Sequence, residues 1–119
     1  VNATVGGGYV NVADGNYATV GGGSGNKAAG ANATVGGGSG NTAGGNATVA
    51  GGEQNIASGI YSTVPGGVLN TAAQNYTFAA GRRAKANHQG AFVWADSQNA
   101  DFASTAVNQF AVRAAGGIR

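Results

Sequence analysis

An apolar anchor residue returns along the chain at nearly constant intervals, and a glycine-rich or small-residue turn follows it. The intervals are 15, 15, 14, 15, 14 and 14 residues, and an alanine stands eight residues after every anchor. The anchors are Val5, Val20, Val35, Val49, Val64, Phe78 and Phe92. A register that survives changes in the intervening residues predicts coils of backbone stacked on one another, and not a conventional globular core.

Each repeat predicts two short strands. Residues 17–20 alternate in size, and the twofold period of a strand places Ala18 and Val20 on one face. Three glycines then allow a turn, and residues 26–28 form a second strand with Asn26 facing inward. We therefore predict an all-β chain: a repetitive parallel β-roll, or solenoid, with two short strands in each coil of 14–15 residues.

An asparagine column accompanies the anchors, six residues after each of the first five. The side-chain amide has donors and an acceptor, so each copy can bond to the next coil and to nearby backbone. We interpret the column as structural. Its members are Asn11, Asn26, Asn41, Asn55 and Asn70.

A threonine precedes each of the first six anchors, and we predict that it faces outward. Regular outward threonines on a stacked sheet are typical of ice-binding solenoids, which makes ice binding one candidate function. Only one such rank is present, however, and threonine is a good outward residue in any strand. The rank comprises Thr4, Thr19, Thr34, Thr48, Thr63 and Thr77.

Composition bears on whether one chain can be stable alone. The 119 residues include 24 glycines and only 8% charged residues. Small side chains bury little apolar surface against an ordering cost of about 1.5 kcal/mol per residue. We therefore predict a homotrimer in which the seven anchors form the core around a shared axis.

Residues suited to catalysis are scattered. Asp14, Glu53, Asp96 and Asp101 lie far apart in sequence, and the chain has one histidine and no cysteine. The glycine runs lack the lysine and hydroxyl residue of a phosphate loop, and the recurring aspartate of a calcium-binding β-roll is missing. We predict no enzymatic activity, no cofactor and no metal. No run of about 20 apolar residues predicts a membrane-spanning helix.

Positive charge is concentrated in one segment, which contains Arg82, Arg83, Lys85 and His88. Repeated in three chains, these residues would form a positive belt that attracts acidic glycans, lipopolysaccharide or nucleic acid. Alternatively they form a cap, because larger side chains such as Trp94 appear here and the arginines can pair with Asp96 or Asp101 of an adjacent chain. The sequence leaves both interpretations open.

The order Ala-Thr-Val, Gly-Gly-Gly and Asn-x-Ala with a closing glycine resembles the head repeats of trimeric autotransporter adhesins, the YadA-like family. The resemblance covers about residues 2–105. It implies a left-handed β-roll, three chains side by side with the valine column toward the trimer axis, and a location on the bacterial cell surface. Membrane attachment would come only through a domain absent from this chain.

Residues 75–97 also resemble the ends of repeat arrays in bacterial surface and phage tail-fibre-like proteins, and residues 108–114 resemble a run that precedes a self-cleaving chaperone domain in some of them. We divide the chain into a regular region, residues 1–75, and a terminal region, residues 76–119, that leads toward a neck or a following domain.

The resulting expectation is a structural and adhesive segment of an extracellular trimeric fibre that attaches to host or matrix. Its partners would be two further copies and an extracellular matrix protein or acidic glycan, with no specific nucleic acid. The alternatives are a phage tail-fibre shaft without its own ligand, located on the virion, and an ice-binding solenoid.

Overall fold

The computed structural model describes residues 1–119, which form a parallel β-solenoid of about seven turns with no helix. The rod is 44 Å long and 24 by 21 Å across. The predicted all-β solenoid with two strands per coil is thus confirmed. Backbone hydrogen bonds run from each coil to the next, so every coil is the template for its neighbour.

Alternate strands belong to two different sheets. Sheet 1 has eight parallel strands: β1 (Thr4–Val5), β3 (Thr19–Val20), β5 (Thr34–Val35), β7 (Thr48–Val49), β9 (Thr63–Val64), β11 (Phe78–Gly81), β13 (Phe92–Ala95) and β15 (Phe110–Arg113). Sheet 2 has seven: β2 (Val12–Ala13), β4 (Lys27–Ala28), β6 (Thr42–Ala43), β8 (Ile56–Ala57), β10 (Thr71–Ala72), β12 (Ala84–Ala86) and β14 (Phe102–Ala103). A third ladder of single bridges runs along the turns from Tyr9 to Arg82.

The core lies inside each coil, between the two sheets. The valines of β3, β5, β7 and β9 have no exposed surface in the single chain, and the alanines opposite them in sheet 2 are also buried. Val5, at the end of the rod, is 44% exposed. The prediction that the valine column faces a trimer axis is therefore wrong, because Val20, Val35, Val49 and Val64 are already enclosed by their own chain.

The last two anchors do not continue the valine column. Phe78 is paired in register with Thr63, and Phe92 is paired with Phe78, so both lie in the outward threonine row. Ala79 and Val93 take the buried position instead. A shift of one residue moves every side chain of a strand to the opposite face, so Phe78 and Phe92 lie on the outer face of sheet 1 and do not share a column with the enclosed valines.

Thr77 shows the same shift. It was predicted to face outward, but it is buried, and its hydroxyl donates to the Gln74 carbonyl at 2.6 Å. Ser62 occupies the equivalent place one coil earlier and donates in the same way to the Gly59 carbonyl. The outward row therefore contains five threonines and not six.

Glycine is required where one coil crosses close above another. Gly38 has a φ of 87°, in the left-handed region, and a Cβ added to it would collide with the Gly52 carbonyl oxygen of the next coil. The same holds for the residue three positions after each enclosed valine, so Gly23, Gly38, Gly52 and Gly67 are required for close stacking.

Candidate functional site

No group of three or more His, Cys, Asp or Glu side chains comes close enough to hold a metal ion. None of the chain folds into a helix of the length and hydropathy needed to cross a membrane. The features that bear on function are the internal asparagine column, the outer row of sheet 1, and the charged and aromatic groups of the terminal region.

The asparagine column is an internal hydrogen-bonding device. Asn41 Nδ2 donates to the carbonyls of Gly37 and Gly52, both at 2.9 Å, and Asn41 Oδ1 accepts the Asn55 backbone N–H at 2.9 Å. Asn26, Asn41, Asn55 and Asn70 are fully buried, and no buried side-chain polar atom lacks a partner. The predicted bonds to the next coil and to backbone are present, and they stabilise the turns.

The outer row of sheet 1 changes from polar to aromatic. It begins with five threonines and continues with Phe78, Phe92 and Phe110, which we call the phenylalanine ladder. The rings are nearly parallel, with centroids 4.5 Å apart for Phe78 and Phe92 and 4.9 Å apart for Phe92 and Phe110. Phe110 is 71% exposed. Phe110 is not among the seven predicted anchors, because the connection from Phe92 to Phe110 is longer than one repeat.

Two members of the predicted basic belt make hydrogen bonds inside the chain. Lys85 Nζ donates to the Leu69 carbonyl and contacts Thr71 Oγ1 at 3.4 Å, and burial lowers the pKa of Lys85. His88 Nδ1 lies 2.8 Å from Ser104 Oγ. These side chains fasten one coil to the next.

Arg83 is the third member of the belt, and it pairs with a carboxylate. Its Nε lies 2.8 Å from Asp101 Oδ1, and Nη1 contacts the Asn99 side chain at 3.5 Å. The arginine–aspartate pair that the cap interpretation placed between adjacent chains therefore forms within a single chain.

Asp96 forms the second ion pair of the terminal region, and this pair is more buried than that of Arg83 and Asp101. Arg113 Nε donates to Asp96 Oδ1 at 2.8 Å, and the Ala115 backbone N–H donates to Oδ2 at 2.8 Å. Gln98 also donates to this carboxylate. The Ala115 hydrogen bond, with those of Arg113 and Gln98, lowers the pKa of Asp96 to about 2. Arg113 was absent from the sequence-based candidates, since it follows Asp96 by 17 residues and a whole coil separates them.

An open groove of about 420 Å³ adjoins this pair, and its lining residues are Gly81, Arg82, Trp94, Ala95, Asp96 and Ser97. Trp94 is 38% exposed. Arg82 Nη1 donates to the Ser97 carbonyl at 3.1 Å, and no carboxylate forms an ion pair with Arg82. Among the four belt residues, Arg82 is thus the one held at the rim of a concave surface.

No protein-family model matches the chain, and no curated protein matches it either. The geometry that bears on function is a rod of stacked coils, a partly exposed phenylalanine ladder and one groove with a tryptophan and an arginine.

Proposed function

We propose that the chain is a structural and adhesive segment of an extracellular trimeric fibre, the head or stalk of a bacterial surface adhesin that attaches to host or matrix. The observation that carries the proposal is the unbroken stacking of coils into a 44 Å rod whose polar interior is fully hydrogen-bonded. Such a rod extends a surface into solvent and displays repeated side chains along it. The left-handed winding that the YadA-like repeats imply is part of this proposal.

We place the trimer contact on the outer face of sheet 1. The valines are enclosed within one chain, whereas the phenylalanine ladder presents stacked rings to solvent, with Phe110 71% exposed. Burying an aromatic ring contributes about 1.5–3 kcal/mol, and a threefold axis repeats that gain for every chain. Two further copies packed on this ladder would cover the apolar surface without changing the coil interior.

Light scattering tests the assembly. The folded protein should have three times the 11.4 kDa chain mass. Phe110→Ser should shift the population toward monomer, whereas Ile56→Ser is the matched control, because Ile56 is an exposed apolar residue of sheet 2 with 41% of its surface accessible. A folded wild-type monomer, or equal loss of trimer in both variants, would contradict the proposal.

The second candidate is a phage tail-fibre shaft without a ligand of its own. It is favoured by the internal contacts of Arg83, Lys85 and His88, which give the belt a structural use. The shaft would have the same trimer and bind no saccharide or matrix protein. Ice binding is less well supported, because the outer row holds a single rank of five threonines and becomes aromatic at Phe78.

A further inference from the structure

The groove beside Trp94 combines an aromatic platform with one uncompensated cation. Trp94 points outward from β13, and the residues paired with it in the neighbouring strands are Ala80 and Val112. Because alanine is small, no large side chain covers the indole from the β11 side. Gly81, which is paired with Ala95, has no side chain and therefore also leaves the groove open.

We propose that this groove is a subsite for a carboxylated saccharide, with one sugar ring on the indole of Trp94 and its carboxylate on the guanidinium of Arg82. The inference rests on the proposed adhesive function, which it deepens by naming a ligand class and its place on the rod.

Arg82 is positioned for an anionic ligand. One of its five N–H groups is used by the Ser97 carbonyl, which orients the guanidinium and leaves donors for a carboxylate. Arginine binds carboxylates through two parallel N–H···O bonds. The two nearest arginines differ, because Arg83 is paired with Asp101 and Arg113 with Asp96.

The Asp96 carboxylate, which also lines the groove, does not repel an anionic ligand there. Both of its carboxylate oxygens accept hydrogen bonds, from Arg113, Gln98 and the Ala115 N–H, and the adjacent guanidinium balances its charge. The net charge at the groove therefore comes from Arg82. A ligand with a single carboxylate and an adjoining apolar face is complementary to this arrangement.

A sugar acid fits these features better than a nucleic acid does. The C–H face of a pyranose packs on an aromatic ring, and its hydroxyls can bond to backbone and to Ser97 at the groove wall. Single-stranded nucleic acid needs successive stacking platforms along a continuous positive track. Here a single tryptophan is present, and the neighbouring cations are already bound within the chain.

The groove adjoins the phenylalanine ladder without including it. The lining residues 81–82 and 94–97 all follow Phe78 and Phe92 along their strands. A ligand can therefore occupy the groove at the margin of the proposed trimer contact, and binding and assembly can be measured separately.

Titration of the full chain with a galacturonic acid hexasaccharide, followed by tryptophan fluorescence, tests the inference. Trp94 is the only tryptophan, so the signal comes from the groove itself. We expect a saturable change with the acid and a loss of at least about tenfold in affinity with its methyl ester, which keeps the sugar rings but removes the charge. Equal binding of acid and ester would overturn the assignment.

Arg82→Gln and Arg83→Gln form a matched pair, since each removes one positive charge from adjacent positions. We expect Arg82→Gln to weaken binding about tenfold and Arg83→Gln to change it less than about threefold. Equal losses, with steep dependence on salt, would show general polyanion attraction and overturn the subsite. Tighter binding of a thymidine oligonucleotide than of the hexasaccharide would assign the groove to nucleic acid and overturn it too.

Light scattering on the same samples separates this inference from the fibre proposal. A wild-type trimer that fails to bind the hexasaccharide refutes the subsite alone, and a folded monomer that binds it refutes the trimer alone. Trp94→Ala should retain the mass of the wild type. If it loosens a trimer, the groove is filled by a neighbouring copy, and the saccharide assignment fails.

Discussion

The regular region and the terminal region follow the same solenoid path with different interior and surface residues. In the regular region, two-residue strands alternate with glycine turns that the asparagine column stabilises. The column ends at Asn70, in the last regular coil, and in the terminal region Ala84 occupies the next position. Strands β11, β13 and β15 each have four residues there.

The two regions show that a stacked coil can be stabilised in two ways. Where strands are short, a buried side chain must satisfy the carbonyls of the turn. Where β11 pairs with β13 over four residues, backbone pairing continues through the segment that forms a glycine turn in the regular region. The aromatic ladder and the two arginine–aspartate pairs then hold the longer last coil.

The largest effect is expected from a charge placed inside the regular region. Val35→Asp would bury a carboxylate with no partner, and we expect a loss of about 4 kcal/mol or more in the free energy of unfolding, or no folding at all. Thr34→Asp places the same group on the outer row and should leave the single-chain fold intact. Chemical denaturation followed by circular dichroism measures both, and equal losses would mean that the two faces of β5 are reversed.

The asparagine column gives the next largest effect. Asn41→Ala leaves the Gly37 carbonyl and the Asn55 N–H without partners, at about 1–3 kcal/mol each, and the Gly52 carbonyl keeps only its bond from the Ser39 N–H, so we expect a loss of about 2 kcal/mol or more. Ala84→Asn is the converse change in the terminal region and should bring no gain, because β11 already satisfies its turn. A loss below about 0.5 kcal/mol for Asn41→Ala would show that water replaces the amide.

The inward positions of Val35 and Asn41 are among the features that the sequence predicts correctly. The period, the two strands and the inward Asn and Ala positions were predictable because small, regular coils repeat the same burial pattern. The predicted register was wrong at Phe78, because Ala79 and not Phe78 occupies the position equivalent to Val64. Alanines occur both inside and outside the coils, so Ala79 gave no sign that it was buried. Alternation of size carries no information when both faces hold small residues.

The groove was less predictable than the fold. Trp94 and Arg82 were noted in the sequence, but their meeting depends on the pairing of β11 with β13. Arg113 approaches Asp96 from the following strand of sheet 1, after a longer connection. Because of that connection, the alanine eight residues after Phe92, Ala100, is exposed, and Ser104 is buried in the position that follows Ala86 in the stack. Sequence spacing alone does not fix contacts across an irregular coil.

A smaller effect, confined to the terminal region, is expected from acid. The pKa of Asp96 is about 2 in the folded chain against an ordinary value of 3.8, so the carboxylate contributes stability that is complete above the ordinary value and is lost as the pH falls through about 2. Asp96→Asn should lower the melting temperature by a few degrees at neutral pH. The gap from wild type should close between about pH 4 and about pH 2. A gap independent of pH would contradict this role.

The smallest effect should come from the ion pair of the regular region, and it sharpens the contrast with the terminal region. Lys27 and Asp14 are 3.4 Å apart, and their side chains are 50% and 54% exposed, whereas Arg113 and Asp96 are 2.8 Å apart and 16% and 13% exposed. Exposed pairs contribute about 0–1 kcal/mol and are screened by salt. Lys27→Gln should therefore change the free energy of unfolding by less than about 0.5 kcal/mol, and Arg113→Gln by clearly more, since it also removes bonds to the carbonyls of Ala100 and Gln98. Denaturation of both variants at low and high salt is the measurement. Equal losses in the two variants would contradict the proposed difference between the regions in how ion pairs contribute to stability.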